Sequence, residues 1–338
     1  MNCTRFTKDR KEKIGERFYP KKKLLFKLLK LSGLPLFFRE VLQRNRVTIL
    51  MFHDIGMETA RRTFDYLSKH YNIIALSDFV DAVNGKTNYA IPPKALIITF
   101  DDGHIGNYRI LETIKECRIP ITIFLCAGII NTSRHYWFKC EQAGISIPEL
   151  KHLSNTVKLD ILDEAGFSLT RNYEYPQALS KKQIGEMKDS VDFQSHTLFH
   201  SCLPQCDDRE ARVEIMASKE ILEDEYGLHI YAVAYPNGDY CDRDIELCKE
   251  AGCACGLTVD YGFNSLKTDL FKLRRLSVND TDNMDELIVK ASGVWGFFRE
   301  LSNFLSKLFI GQPSVPMSVR HLQACNLEHM THGREREI

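Results

Sequence analysis

Three short stretches of this 338-residue chain carry side chains from which chemistry could be built. The apolar run Ala95–Phe100 ends abruptly in Asp101-Asp102-Gly103. Two adjacent carboxylates behind a buried strand are costly unless a positive group lies beside or between them. A metal ion is an economical answer: one carboxylate ligates it and the other stays free as a base. A helix N-cap would need only one Asp. The second stretch is Ser195-His196-Thr197-Leu198-Phe199-His200, which follows the run Val191–Gln194. Two histidines four apart can point the same way on a helical turn, a spacing common among metal ligands. By themselves they could equally be two unrelated surface histidines. With the Asp pair they supply two neutral imidazoles and a carboxylate, leaving positions open for water and substrate. The third stretch is His53-Asp54, after Val-Thr-Ile-Leu-Met-Phe.

The elements that must position these groups can be read from the pattern around them. Apolar, often β-branched runs at Val47–Phe52, Asn72–Ala75, Ala95–Phe100, Ile121–Leu125, Val191–Gln194, Ile230–Tyr235 and Cys255–Val259 read as strands. Helical periodicity fits Glu58–Lys69, Ser77–Val83, Tyr108–Cys117, Ser180–Lys188, Asp208–Tyr226 and Arg243–Ala251. Strands alternating with helices call for a parallel sheet, open or closed into a barrel. In a barrel the C-terminal strand ends converge on one mouth. His53, Asp101, Asp102, His196, His200 and the turn Tyr235-Pro236-Asn237-Gly238 all fall at such ends. The stretch from Ile130 to Leu179 breaks the rhythm and reads as an insertion.

Composition excludes collagenous, low-complexity and wholly disordered classes: 44% of residues are hydrophobic and 27% charged, with 19 Gly and 11 Pro. The net charge of zero hides an asymmetry. Residues 1–46 hold 14 Lys/Arg against 4 Asp/Glu, and residues 47–338 hold 31 against 41. A basic arm on an acidic body implies an anionic partner, a membrane surface or a polyanion, or else a solvated extension. Leu24 to Leu42 is apolar but interrupted by Lys27, Lys30, Arg39 and Glu40, which suits a helix lying on a membrane rather than crossing it. Val294, Phe297, Phe298, Leu301, Phe304, Leu305 and Leu308 form a second such face. Either could instead dock on the body and complete its core. The tail from Gly311 reads as polar and loosely ordered. No cleavable signal peptide is expected in the basic residues 1–23. Eleven cysteines without zinc-ribbon or ferredoxin spacing read as buried thiols in a reducing compartment.

Thr99-Phe100-Asp101-Asp102-Gly103 and His196-Thr197-Leu198-Phe199-His200 resemble the first two motifs of the polysaccharide deacetylase family, the NodB-homology or carbohydrate esterase family 4 proteins. The resemblance covers about residues 47–290. It implies an α/β fold, a distorted (β/α)7 barrel, and metal-dependent removal of acetyl groups from N-acetylated sugars. Carried over by position, Asp101 is the general base and Asp102, His196 and His200 are the metal ligands. Zinc is the first expectation for the metal, with cobalt, nickel or manganese as alternatives. The turn Tyr235-Pro236-Asn237-Gly238 resembles that of biofilm-polysaccharide deacetylases, where the backbone N–H of Asn237 would help hold an oxyanion. The family's Arg two residues before the Pro is Ala234 here, and Arg275 is the substitute in Leu273-Arg274-Arg275-Leu276. The C-terminal Leu-x-His motif is absent. His53 resembles the corresponding His of the permuted branch, whose motif moves to the first strand, and is assigned as general acid.

Three domains of organisation follow: a basic amphipathic extension over 1–46, a deacetylase-like body over 47–290 with its insertion at about 130–179, and a C-terminal helix and tail over 291–338. The expected substrate is an N-acetylated glycan or a lipid-linked sugar, handled in the cytoplasm at the inner face of the membrane. Peripheral membrane association would run through residues 21–46, and no nucleic-acid partner is expected. The alternatives are a catalytically silent glycan-binding protein of the same fold, and a peripheral membrane protein whose function is the basic arm.

Overall fold

The computed structural model describes residues 22–310 apart from 88–89 and 141–145. The first 21 residues of the arm and the tail from Gly311 lie outside the described residues. The expected strands are β1 (Val47–Phe52), β2 (Asn72–Ile73), β3 (Ala95–Phe100), β4 (Ile121–Leu125), β5 (Asp192–Ser195), β6 (Ala232–Ala234) and β7 (Cys255–Leu257), joined by a further strand, β8 (Leu276–Ser277). All pairings are parallel, in the order β7-β6-β5-β4-β3-β1-β8, with β2 beside the start of β3.

The segment around β8 turns this sheet into a ring. Leu273 bridges to Leu257 on β7, while Leu276 pairs with Leu50 on β1. Two backbone hydrogen bonds seal the joint, Leu273 N–H to Gly256 O at 3.0 Å and Thr258 N–H to Leu273 O at 2.8 Å. The architecture is the distorted (β/α)7 barrel, seven strands in the ring and β2 outside it. The closing strand is too short to register as an apolar run, so nothing in the local sequence announced it.

Side-chain parity sorts the barrel into two layers. Successive residues of a strand face opposite sides. Val47, Ile49, Ala95, Ile97, Phe124, Ala232, Ala234, Leu257 and Leu273 fill the interior. Leu50, Phe52, Leu96, Ile98, Phe100, Ile123 and Leu125 meet the surrounding helices. All six residues of β1 and of β3 are buried, as expected of strands covered on both faces. The helix Met57–His70 supports the outer layer through Ala60, Phe64 and Leu67. The helix Asp208–Asp224 starts with a reciprocal capping box between Asp207 and Glu210, which satisfies two N-terminal N–H groups and fixes where it begins.

The described part of the insertion has a small core of its own, with Trp137, Leu150, Leu162 and Phe167 packed against Cys202. Phe26 and Phe38 from the N-terminal segment join Val289 and Val294 in a separate cluster. Both amphipathic segments therefore dock on the body. No helix among the described residues is long and apolar enough to cross a membrane.

Gly238 marks the tightest backbone approach beside the mouth. Its φ is +76°, and a Cβ there would run into the Cγ2 and backbone N of Val259. Gly238→Ala should therefore destabilise the fold by roughly 2–4 kcal/mol, read as a lower denaturant midpoint with unchanged slope.

Candidate metal centre and active site

Asp101 and Asp102 face the same mouth because the chain leaves extended geometry between them. Strict strand alternation would send adjacent carboxylates to opposite faces. Asp101 continues the inward-facing series of Ile97 and Thr99, and Asp102 then takes the left-handed φ of 73°. Thr197, His200 and Asn237 do the same with φ of 64°, 59° and 57°. Four of the seven non-glycine residues with positive φ among the described residues thus belong to this site. Such conformations persist only where surrounding contacts over-determine them.

The His196–His200 pair corrects the sequence expectation: the residues lie on a loop and not on a helical turn. The buried carboxylate of Glu214 holds that loop from the helix behind it. It accepts the N–H groups of Leu198 and Phe199, both at 2.9 Å, and the Ser201 hydroxyl at 2.7 Å. Each backbone hydrogen bond formed to the carboxylate replaces a ladder partner that the left-handed turns remove.

Asp102, His196 and His200 converge, all of them buried. Asp102 Oδ1 lies 3.4 Å from Nε2 of His196 and 3.4 Å from Nε2 of His200. That separation fits donors about 2.1 Å from one tetrahedral ion. His196 Nδ1 sits 2.7 Å from the carbonyl of Ala234, which makes Nδ1 the protonated nitrogen and leaves the Nε2 lone pair for a ligand. Asp102 Oδ1 has no hydrogen-bond partner although it is buried. A buried orphan carboxylate oxygen between two imidazole nitrogens fits a divalent cation, and burial pushes His200 down to about 3, keeping it in the neutral, ligating form.

Two further groups complete the support of Asp102, and sequence reading had passed over both. His104 Nε2 lies 3.0 Å from Asp102 Oδ2, with His104 Nδ1 3.2 Å from Lys139 Nζ. The ring of His104 packs edge-on against Tyr136, whose hydroxyl donates to the Asp102 carbonyl at 2.8 Å. Oδ2 is thereby engaged and Oδ1 turned toward the histidines. Trp137 donates its indole N–H to the His200 carbonyl at 2.9 Å, and the Phe138 ring lies 4.5 Å from the His200 ring. The insertion clamps the ligands. The only sequence signal for this was the local excess of aromatics.

Asp101 is not part of the cluster but borders it, its Oδ2 3.9 Å from His196 Nε2. Arg275 grips it in a two-pronged ion pair, Nη1 to Oδ1 at 2.7 Å and Nη2 to Oδ2 at 2.9 Å. The guanidinium is itself fully buried, with Nε donating to the Thr258 carbonyl at 2.8 Å. Burial would raise the Asp101 carboxyl, but Arg275, with His196 and His53, outweighs it and holds the group below its ordinary value. Burial likewise opposes ionisation of Asp102, and His104, His196 and His200 hold it well below the carboxylate range. Burial would lower His196, yet Asp101 and Asp102 raise it.

His53 stands at the rim, about 39% of its side chain exposed. Its backbone N–H donates to Asp280 Oδ1 at 3.0 Å, and its Nδ1 is 3.9 Å from Asp280 Oδ2. Asn237 Nδ2 approaches the Cys202 sulfur at 3.2 Å. Tyr235 contradicts the expectation that it serves substrate or oxyanion. Its N–H is used by Leu257 O at 3.0 Å and its hydroxyl by Phe271 O at 3.1 Å, while its ring stacks on Tyr240 in the outer core. It braces the turn and offers no donor to the mouth.

A profile described as polysaccharide deacetylase matches residues 88–256, half of the chain and both motifs. The chain belongs to the polysaccharide deacetylase family. One curated relative, the Bacillus subtilis (strain 168) protein YxkH, named as a polysaccharide deacetylase, is 21% identical over 188 residues, which are 55% of this chain and 52% of that protein. The chain thus spans about half the length of that relative. Among solved structures, IcaB from Ammonifex degensii superposes with a TM-score of 0.52 at 19% identity, covering 74% of this chain and 98% of that one. The Streptococcus pyogenes deacetylase PplD in complex with acetate gives 0.51 at 19%, covering 72% and 99%. At such identities these two show that the family's barrel is shared.

The geometry makes four outcomes testable. Wild-type protein titrated with Co(II) or Zn(II) should hold about one ion per chain, and His200→Ala should abolish that binding. His104→Phe, which keeps a ring against Tyr136, should weaken affinity about 10–100-fold while the metal-free protein melts unchanged. Affinity should fall as pH is lowered through neutrality, because the raised His196 takes up the competing proton; isothermal titration across pH would show it. Arg275→Met should cost about 3–5 kcal/mol in urea unfolding at neutral pH. Because the folded carboxyl of Asp101 is depressed, its stabilisation is present above the ordinary carboxylate range and lost as pH falls through its folded value. The difference between wild type and variant should accordingly shrink in acid.

Proposed function

We propose that this deacetylase-family chain is a metal-dependent hydrolase that removes N-acetyl groups from an amino-sugar glycan or its lipid-linked precursor. One observation carries the reading. A carboxylate kept ionised by a buried arginine lies beside a buried carboxylate–imidazole cluster, at the open end of a barrel. A protein that only binds glycan has no use for that arrangement.

The roles follow from where each side chain is held. Asp102, His196 and His200 would hold the metal, zinc first, whose Lewis acidity would polarise the amide carbonyl and acidify water. Asp101 accepts the proton of the attacking water, and Arg275 fixes the orientation in which it does so. The backbone N–H of Asn237, at a left-handed turn residue, would help hold the tetrahedral oxyanion. His53 donates a proton to the departing amine, which is a very poor leaving group unprotonated; Asp280 beside its Nδ1 orients the ring. The odd count of eleven cysteines, without a regular framework, suits a reducing compartment and supports a site of action in the cytoplasm. Membrane association through the N-terminal segment would bring a lipid-linked substrate within reach.

Acetate release from N-acetylated chitooligosaccharides by the zinc-loaded chain tests the reading. Asp101→Asn should retain metal and lose turnover, and His53→Gln should lower kcat about 10²–10⁴-fold with metal content unchanged. Full turnover in Asp101→Asn would remove the base, and with it the mechanism.

A further inference from the structure

We infer that the two ends of the described chain build one membrane-docking face for an anionic lipid surface. The inference extends the membrane association proposed above from a single segment to a composite surface, and it rests on that reading. Thirteen of the nineteen large apolar side chains most exposed among the described residues lie in two places, eight on residues 24–42 and five on residues 297–305. Single exposed leucines need no explanation, but a contiguous apolar face does.

The two places are one surface. Phe26 packs on Trp295 with ring centroids 5.0 Å apart, and Phe38 on Phe297 at 5.5 Å. Phe26, Phe38, Val289 and Val294 form the buried floor. Above that floor the opposite sides of the same elements stay in water: Leu28 is 58% exposed, Phe37 52%, Phe298 39% and Phe304 59%. Docking on the body has consumed one side of each amphipathic segment and left the other bare.

Charge argues for lipid as the occupant. The helix over 22–31 carries Lys22, Lys23, Lys27 and Lys30 and no acidic residue. It belongs to the segment with 14 Lys/Arg against 4 Asp/Glu, attached to a body of opposite sign. Apolar side chains bordered by lysines are what an amphipathic element needs to sink into the headgroup layer of an anionic bilayer.

The face also has a fixed relation to the mouth. Lys30 binds Asp285 at 2.6 Å, and Lys22 approaches Glu286 at 3.6 Å. A cleft of about 530 Å³ is lined by Lys23 and Lys27 together with Asp282 and Asn283. The loop before Asp285 is the one whose Asp280 holds His53. The lysine-bearing helix of this face is thus tied to the helix that follows the loop holding His53.

The full chain would be sedimented with vesicles of phosphatidylcholine, alone or mixed with phosphatidylglycerol. It should pellet with the mixed vesicles, stay in solution with neutral ones, and be released as salt rises. Leu28→Ser/Phe37→Ser and, separately, Phe298→Ser/Phe304→Ser should each lower the bound fraction about 10-fold or more without moving the melting temperature. Metal content and turnover on a soluble oligosaccharide should match wild type in both, so failure of the hydrolytic reading would show separately. No pelleting of wild type with anionic vesicles overturns the membrane reading and the composite face together. Pelleting that Phe298→Ser/Phe304→Ser leaves unchanged overturns the composite face alone. A chain that is dimeric without vesicles and monomeric in both double variants gives the face to a second copy and overturns the proposal.

Discussion

The buried pair between Asp101 and Arg275 is the constraint on which the rest of the structure turns. A carboxylate and a guanidinium in the barrel interior each carry a large desolvation penalty, which only close, two-pronged contact offsets. Arg275 rides on the strand that joins β7 to β1, so the charge that stabilises Asp101 arrives only when the ring has closed. Closure of the barrel thus supplies the charge that keeps the base ionised once it is buried. A hydrophobic pair of similar volume could pack as well, but it would leave nothing at the mouth able to take a proton.

Around that pair the site is assembled by withdrawing residues from regular structure. Left-handed backbone at Asp102, Thr197, His200 and Asn237 breaks strand alternation where three strands, β3, β5 and β6, reach the mouth. Each break sacrifices ladder hydrogen bonds, and specific side chains restore them: Glu214 beneath the histidine loop, and Tyr136 and Trp137 on the carbonyls of Asp102 and His200. The insertion is consequently part of the site's frame. It fixes the backbone of two ligands through their carbonyls.

Much of the fold was legible in the sequence because burial writes itself into composition. β1 and β3 are covered on both faces and read as unbroken apolar runs. The Asp pair and the two histidines stood out because charged or titratable groups directly after such runs demand a reason. His104 did not stand out, since a lone histidine in a loop has no pattern, and its partnership with Asp102 arises from a turn. Tyr235 misled for the converse reason: its neighbours Pro236 to Gly238 line the mouth, but strand parity sends its own ring outward to Tyr240. Glu214 looked like any polar position of an amphipathic helix, and its role depends on a loop 13 to 16 residues earlier in the chain that regular structure does not hold.

What the sequence by itself determined is the set of elements and the residues at their ends, because hydrophobic period, turn residues and motif spacing are local properties. It placed Asp101, Asp102, His196, His200 and His53 at strand termini and offered Arg275 for the missing arginine. What only the tertiary structure decided is which of these touch and in what state. The closing strand is too short to leave a local signal, so the Asp101–Arg275 contact, 174 residues apart, exists only through closure of the ring. Ionisation obeys the same rule: burial and neighbouring charges set it together, and both come into being only when distant segments meet.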